Sequence, residues 1–249
     1  MPRCLPRTPT RQNETTVLIP KKAQKSLLIR ARRPDNDHGR GMTLLPNRQT
    51  SLRAGHAVVA QIATWASERL SAPSRLLNGA QGFVEWAHYP QPDAVDPNSG
   101  WRFYYHAHPP TQRLSSEHGH FHIFTPGPEG KAGADVNFSH LIAISTDLRG
   151  LPLRLFTTNR WVTNEVWQPA EALVRLTSAP ALGHAEPRDV GMWLNNLVML
   201  FAEDIIHLLR ARDSRIAKSR SRAPLEDHRL RIPSQRRINL ARRLQLLEA

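Results

Sequence analysis

The stretch WRFYYHAHPPTQRLSSEHGHFHIF, residues 101–124, decides the centre of the fold. Its two halves, Trp101–His108 and Glu117–Phe124, are rich in aromatic residues, which favours strands over helices. The segment between them, Pro109–Ser116, is short enough for the two strands to pair directly. We therefore predict an antiparallel pair of strands here and treat it as the core of a larger sheet.

Half of the chain's 12 histidines fall within this stretch or shortly before it. Side chains at positions i and i+2 share one face of a strand. His118, His120 and His122 are therefore expected on one side of the second strand, and His106 and His108 on one side of the first. If the two faces coincide, five imidazoles converge on one surface.

Such a histidine cluster predicts a metal site, because imidazole together with carboxylate suits zinc or non-haem iron. Two histidines at i and i+2 stand about 7 Å apart and can reach one ion, whereas the outer two of three are about 13 Å apart. Candidate carboxylates are Asp93, Asp96 and Glu117, of which Glu117 points away from the histidine face of a regular strand. If the site is catalytic, Tyr104 or Asp96 would move protons on an unidentified small-molecule substrate.

Two alternatives stay open for the same residues. The histidines could be polar positions of a half-exposed sheet, or they could bind an anion without metal. In support of the latter, His118–Phe124 resembles the alternating motif of the histidine-triad nucleotide hydrolases and transferases, with Gly119 in an apolar slot. That resemblance implies His120 as the nucleophile that attacks a phosphate, although the elements expected upstream do not match.

The sequence on both sides of residues 101–124 predicts an α+β domain, in which an antiparallel sheet is packed by flanking helices. Apolar residues at helical spacing indicate helices on both sides of the strand-rich region. The further elements expected are helices over 51–70, 168–177 and 189–210, strands over 140–146 and 151–157, and additional strands over 83–88 and 160–166.

The positive charge lies at the two ends of the chain. The 249 residues carry a net charge of +13, but residues 1–55 hold 12 Lys+Arg against 3 Asp+Glu, and residues 210–249 hold 12 against 4. All 16 aromatic residues lie between Trp65 and Phe201. Because aromatic side chains supply much of a core's buried area, the folded part is expected in the acidic middle.

The expected organisation has three parts. A disordered basic arm covers 1–48, a folded domain covers 49–212, and a basic linker with a short amphipathic helix after Ser234 covers 213–249. Basic arms of this kind favour non-specific binding of nucleic acid, a second candidate function that does not use the histidines. The helix could equally lie on an acidic membrane surface or on the protein's own core.

Several classes of protein are excluded by composition. A single cysteine, Cys4, rules out a disulfide scaffold and a zinc site made only of cysteines. No apolar run approaches the roughly 20 residues of a transmembrane helix, so a cytoplasmic protein is expected. Translation could begin at Met42 instead of Met1, and the sequence leaves the oligomeric state open.

Five short motifs resemble an uncharacterised bacterial family, a domain of unknown function. The resemblance covers roughly residues 50–210 and leaves both basic ends outside. It implies a bacterial origin and does not imply a reaction. The motifs are Trp86–Pro90, Asp93-x-x-Asp96, Tyr104–His108, Glu117–His122 and Phe156–Trp161.

Overall fold

The computed structural model describes residues 45–77, 83–128 and 137–249. The basic arm expected over 1–48 therefore lies almost wholly outside the described residues, as do Cys4 and Met42. The helices are α1 Arg48–Ser67, α2 Ala72–Leu77, α3 Arg160–Thr163, α4 Ala170–Val174, α5 Arg188–Leu200, α6 Ala202–Ala217 and α7 Leu240–Glu248. The strands are β1 Tyr89–Val95, β2 Arg102–His106, β3 Gly119–Pro126, β4 Phe138–Thr146, β5 Pro152–Phe156 and β6 Gln235–Arg237.

The six strands form one antiparallel sheet in the order β1 to β6, so each strand pairs with the next along the chain. The register of β2 and β3 sets Tyr104 opposite His122 and His106 opposite His120. Directly opposed residues share a face of the sheet. The α+β class with flanking helices is thereby confirmed, and the central pair of strands is the predicted one.

One face of the sheet carries the main hydrophobic core. Phe103, Tyr105 and Phe121 are fully buried there, and the ring of Phe121 lies 5.6 Å from that of Trp193 on α5. Trp65 of α1 meets Trp193 edge to face at 5.7 Å, so α1 and α5 cover this face together. Each such aromatic side chain contributes about 1.5–3 kcal/mol through burial. The opposite face is left to the histidines.

The long helix expected over 189–210 is two helices, α5 and α6, with a break at Phe201. Their axes differ by 75°. Within residues 45–77, 83–128 and 137–249, no single helix is long and apolar enough to cross a membrane, and α5 with α6 reaches that length only across the bend.

The prediction of two additional strands, over 83–88 and 160–166, is wrong. Residues 83–88 precede β1 without forming a strand, and residues 160–166 contain helix α3. Asn159 explains the second difference, since its side chain accepts a hydrogen bond from the backbone N–H of Arg160 and caps the helix.

The segment beyond residue 213 packs onto the domain. Strand β6 pairs with β5, and α7 lies against α1, where the side chain of Leu244 covers Gly55. Ser234 forms a hydrogen bond of 2.7 Å with the hydroxyl of Thr157, and the helix is capped by Asn239. The amphipathic helix therefore lies on the protein's own core, the third of the locations considered from the sequence.

Candidate metal centre

Three histidines converge on the face of the sheet opposite α1 and α5. His106 and His120 are directly opposed on β2 and β3, and His122 follows two residues later on the same face. One ring nitrogen from each lies within 4.8 Å of the others, and the three residues are 8%, 4% and 1% exposed. Nε2 of His106 and Nε2 of His120 are 2.8 Å apart.

The hydrogen-bond partner of Nδ1 determines which ring nitrogen of His120 carries the proton. Its Nδ1 lies 2.9 Å from Oε1 of Glu117, and an ionised carboxylate only accepts hydrogen bonds. Nδ1 therefore carries the proton, and Nε2 presents a lone pair toward His106. Two lone pairs at 2.8 Å would repel each other, so either a proton on His106 or a cation has to lie between the two nitrogens.

Glu117 is kept ionised although it is buried. Burial raises the pKa of this carboxyl, but the hydrogen bond with His120 and the charge of Arg154 outweigh it, and the pKa stays below its ordinary value. Arg154 donates to Oε2 of Glu117 at 2.9 Å. Its other nitrogens donate to Ser145 and Gln235. A carboxylate that orients a histidine in this way is typical of the groups behind metal ligands.

A second chain of polar groups orients His122. Its Nδ1 lies 3.0 Å from Nε2 of His140, whose Nδ1 lies 3.2 Å from the hydroxyl of Thr158. If Thr158 accepts from His140, then His140 accepts from His122, and Nε2 of His122 is left as a lone pair. This tautomer gives His122 the same available nitrogen as His120.

His140 reaches the site because of a bulge in β4. Ile142 pairs with Ile123 on the core face, whereas His140 pairs with Phe124 on the histidine face. These two residues of β4 are only two positions apart, so regular alternation would place them on the same side. The extra residue, Leu141, reverses the side on which His140 projects, which is a common use of β-bulges.

Burial keeps these imidazoles neutral at neutral pH. It lowers the pKa of His140 to about 3 and that of His108 to about 4, with nearby positive charge adding to the effect. The pKa values of His120 and His122 are likewise lowered by burial. Neutral imidazole is the form that binds metal ions.

A pocket of about 320 Å³ opens over the cluster. Its polar wall includes a pair formed by Nδ1 of His88 and Oδ1 of Asp93, which lie 3.0 Å apart. The ring of His88 stacks on Tyr104 at 3.6 Å and lies 5.6 Å from that of His106. Burial raises the pKa of Tyr104, so its hydroxyl stays protonated. The apolar wall is formed by Phe124, Phe138, Phe156, Val162 and Ile232.

The structure brings four of the five predicted ligand histidines to this pocket. His108 joins His106, His120 and His122 there, stacked on Trp86 with ring centroids 4.2 Å apart. His118 lies elsewhere, because its Nδ1 is 2.6 Å from the hydroxyl of Tyr105, whose ring belongs to the core face. His118 precedes β3, where the alternation of a regular strand no longer applies.

The two residues expected to move protons are placed differently. Tyr104 lines the pocket, whereas Asp96 does not line it. The carboxylate of Asp96 accepts backbone N–H groups of Asn98 and Ser99 at one oxygen and of His184 at the other. Asp96 therefore organises the turn before β2. Backbone hydrogen bonds lower its pKa although burial raises it.

Gly119 occupies a position where a side chain has no room. A Cβ atom there would lie 2.5 Å from the backbone oxygen of His106 and 2.5 Å from the hydroxyl of Tyr105. The apolar residue of the histidine-triad pattern would clash at this position. The structure therefore explains why glycine interrupts that pattern.

The sequence indicated no role for Arg154 or Arg231, whereas His140, which opens a predicted strand, was a possible further member of the cluster. Arg154 comes from β5 and Arg231 from the segment before β6, far along the chain from the histidines. No local pattern connects such residues with the cluster.

Comparison with known proteins gives a family and nothing about chemistry. No curated protein and no solved structure matches the chain. One family model matches residues 52–238, which cover all six strands and the whole pocket. The chain belongs to this family, which is described as a domain of unknown function, DUF6969.

Proposed function

We propose that the domain binds one divalent metal ion, zinc or non-haem iron, through His106, His120 and His122, and that the pocket above it is the active site of a metal-dependent enzyme. The observation that carries the proposal is the convergence of the three histidines, each of which brings one ring nitrogen within 4.8 Å of the others. Glu117 supports it further, because its hydrogen bond to Nδ1 fixes the tautomer of His120 that can bind an ion.

The donor set suits these two metals. Three neutral imidazoles bind zinc and iron well, and three protein ligands leave a coordination position for water or substrate. A metal held there would supply a Lewis acid that lowers the pKa of bound water. His108, at the edge of the cluster, is a further candidate ligand.

His88 is the group in the pocket best suited to accept a proton. Asp93 holds its Nδ1 at 3.0 Å, so Nε2 is the nitrogen available to a substrate or to water. Tyr104 packs flat against the same ring and fixes its orientation. A histidine oriented by a carboxylate is a common general base. We assign proton transfer to His88 in preference to Asp96, whose oxygens are occupied by the backbone.

The two other functions considered have less support. The histidine-triad interpretation uses His118 beside His120, and His118 is instead bonded to Tyr105. Binding of nucleic acid would use the basic ends, but several C-terminal arginines have acidic partners within the domain. The partners of Arg229, Arg236 and Arg243 include Asp227, Asp204 and Glu203.

The test is elemental analysis of the untagged full-length chain, purified without chelator. The full chain is needed because Arg231 and Ile232, beyond residue 212, line the pocket. We expect about one zinc or iron per chain in the wild type and none in a variant with His106, His120 and His122 all replaced by alanine. His118→Ala is the matched control, since it removes a neighbouring histidine outside the cluster, and it should keep the metal.

Two outcomes would overturn the proposal. One is equal metal content in the folded triple variant, and the other is a wild type that takes up neither zinc nor iron(II) when they are supplied. Circular dichroism establishes that each variant is folded. In the second case, hydrolysis of dinucleoside polyphosphates without metal would favour the histidine-triad alternative.

A further inference from the structure

We infer that the substrate of this pocket is a small organic anion, a carboxylate on an apolar body, and that Arg231 binds its charge. The inference rests on the proposed function for the choice of site, because the anion would lie beside the three histidines of the metal centre. It adds the chemical class of the substrate, which the metal centre alone does not define.

Arg231 carries a positive charge that the described part of the chain does not neutralise. One of its terminal nitrogens lies 3.3 Å from Nδ1 of His108, and its guanidinium lies 5.6 Å from the ring centre of Trp86. No carboxylate among residues 45–77, 83–128 and 137–249 pairs with it, and burial alone lowers its pKa. The guanidinium therefore keeps donors for a ligand.

The other arginine of the pocket differs in this respect. All three nitrogens of Arg154 donate to protein groups, and its charge is paired with Glu117. The acidic groups of the pocket are also occupied, since Glu117 binds His120 and Arg154, and Asp93 binds His88. The charge that is left over in this pocket is that of Arg231.

Trp86 holds this side of the pocket in place. Its backbone adopts φ of 70°, a left-handed conformation that is rare and costly for a residue other than glycine. Its backbone N–H donates to the backbone oxygen of Ala107, and its indole ring stacks on His108. The residue is nevertheless 48% exposed. A strained, half-exposed tryptophan beside an unpaired guanidinium is suited to contact the apolar body of a ligand.

A carboxylate fits better than a phosphate. One guanidinium presents two parallel N–H groups that match the two oxygens of a carboxylate. A phosphate dianion needs further donors, and the other arginine is already engaged. The remaining wall is apolar and accommodates a hydrocarbon or aromatic body, and the volume of about 320 Å³ limits the ligand to a small molecule.

Isothermal titration calorimetry with benzoate, benzamide and phenyl phosphate tests the inference on the full-length chain. We expect benzoate to bind at least about tenfold more tightly than its neutral amide, because a charged hydrogen bond is lost in benzamide. Arg231→Met should remove this preference, and Arg231→Lys should keep part of it. Arg229→Met, two residues away and paired with Asp227 at the surface, is the matched control and should leave benzoate binding unchanged.

Three outcomes would overturn the inference: no binding of benzoate to the wild type, equal binding of benzoate and benzamide, or unchanged benzoate binding in the folded Arg231→Met variant. Stronger binding of phenyl phosphate than of benzoate would replace the carboxylate by a phosphate. Titrations of both metal-loaded and chelator-treated protein separate this result from that of the metal centre. Binding through Arg231 in a chain that takes up no metal contradicts only the proposed function, and metal uptake without benzoate binding contradicts only the inference.

Discussion

Oε1 of Glu117 lies 2.9 Å from Nδ1 of His120, and both side chains are buried. The carboxylate thereby determines which nitrogen of His120 faces His106. Arg154 holds the other oxygen of Glu117 at 2.9 Å, so Glu117 just before β3, His120 on β3 and Arg154 on β5 form one ordered unit. The chemistry of the histidine cluster depends on this unit as much as on the histidines.

Replacing Glu117 should weaken metal binding without removing a ligand. Glu117→Gln keeps the shape of the side chain but loses the charge that orients His120, so we expect affinity for zinc to fall by about 10- to 100-fold. Competition with a chelating dye measures the change. Glu226→Gln is the control, because that carboxylate forms a partly exposed pair with Arg160 away from the cluster. Equal affinities in wild type and Glu117→Gln would contradict the role of this carboxylate.

Replacing Asp96 should affect stability and leave the metal in place. Its two oxygens accept three backbone N–H groups, so Asp96→Ala leaves two donors in the turn before β2 and the donor of His184 without their acceptor. We expect the free energy of unfolding to fall by about 1–3 kcal/mol, measured by urea denaturation, with unchanged metal content. Loss of metal in a folded Asp96→Ala protein would show that Asp96 acts on the centre after all.

Glu165 should make the protein less stable as pH rises. Burial raises the pKa of this carboxyl to about 8, although the backbone N–H of His140 and the charges of Arg212 and Arg160 oppose it. Tyr104, the other ionisable group that interacts with it, is itself kept protonated by burial. Between the ordinary pKa near 4.5 and about 8, the folded state holds a proton that the unfolded state releases, so stability decreases across this range.

The comparison of wild type with Glu165→Gln measures this effect. The variant has no group to ionise there, so its advantage in melting temperature over the wild type should grow from pH 5 to pH 8. Glu186→Gln, which changes an exposed carboxylate paired with Arg188, is the matched control. Parallel stability curves for wild type and Glu165→Gln would contradict the assignment.

Two helical glycines should respond differently to alanine. A Cβ on Gly191 would lie 2.3 Å from the backbone oxygen of Leu182, and a Cβ on Gly55 would lie 2.4 Å from the end of the Leu244 side chain. The backbone of Leu182 is held by Asn195, whereas a leucine side chain can rotate away. We expect Gly191→Ala to lower the free energy of unfolding by about 1–3 kcal/mol, although alanine has a better helix propensity than glycine.

Gly55→Ala serves as its control and should change the free energy of unfolding by less than about 1 kcal/mol, since the gain in helix propensity offsets the adjustment of Leu244. Urea denaturation of both variants provides the measurement. Equal losses in the free energy of unfolding for the two substitutions would contradict this prediction and would mean that the backbone of Leu182 adjusts as easily as the side chain of Leu244.

The amino-acid sequence by itself determined the α+β class, the pairing of the two central strands and the common face of His120 and His122. These are local properties. Alternation with a period of two residues fixes the side of a strand on which a residue projects, and the short connection between β2 and β3 makes them neighbours. The family membership is likewise a property of the sequence, because the family model matches residues 52–238.

The tertiary structure alone decided which other residues complete the site. His140 lies in the site because a bulge reverses the alternation of β4. His118 lies outside the site because this residue precedes β3. Arg231 meets His108 across 123 positions of the chain. Contacts between such distant residues depend on how the whole chain packs, including β6 at the edge of the sheet. The period of a single strand carries no information about them, which is why the sequence indicated the histidines and Glu117 as a candidate carboxylate but gave no sign of Arg154 or Arg231.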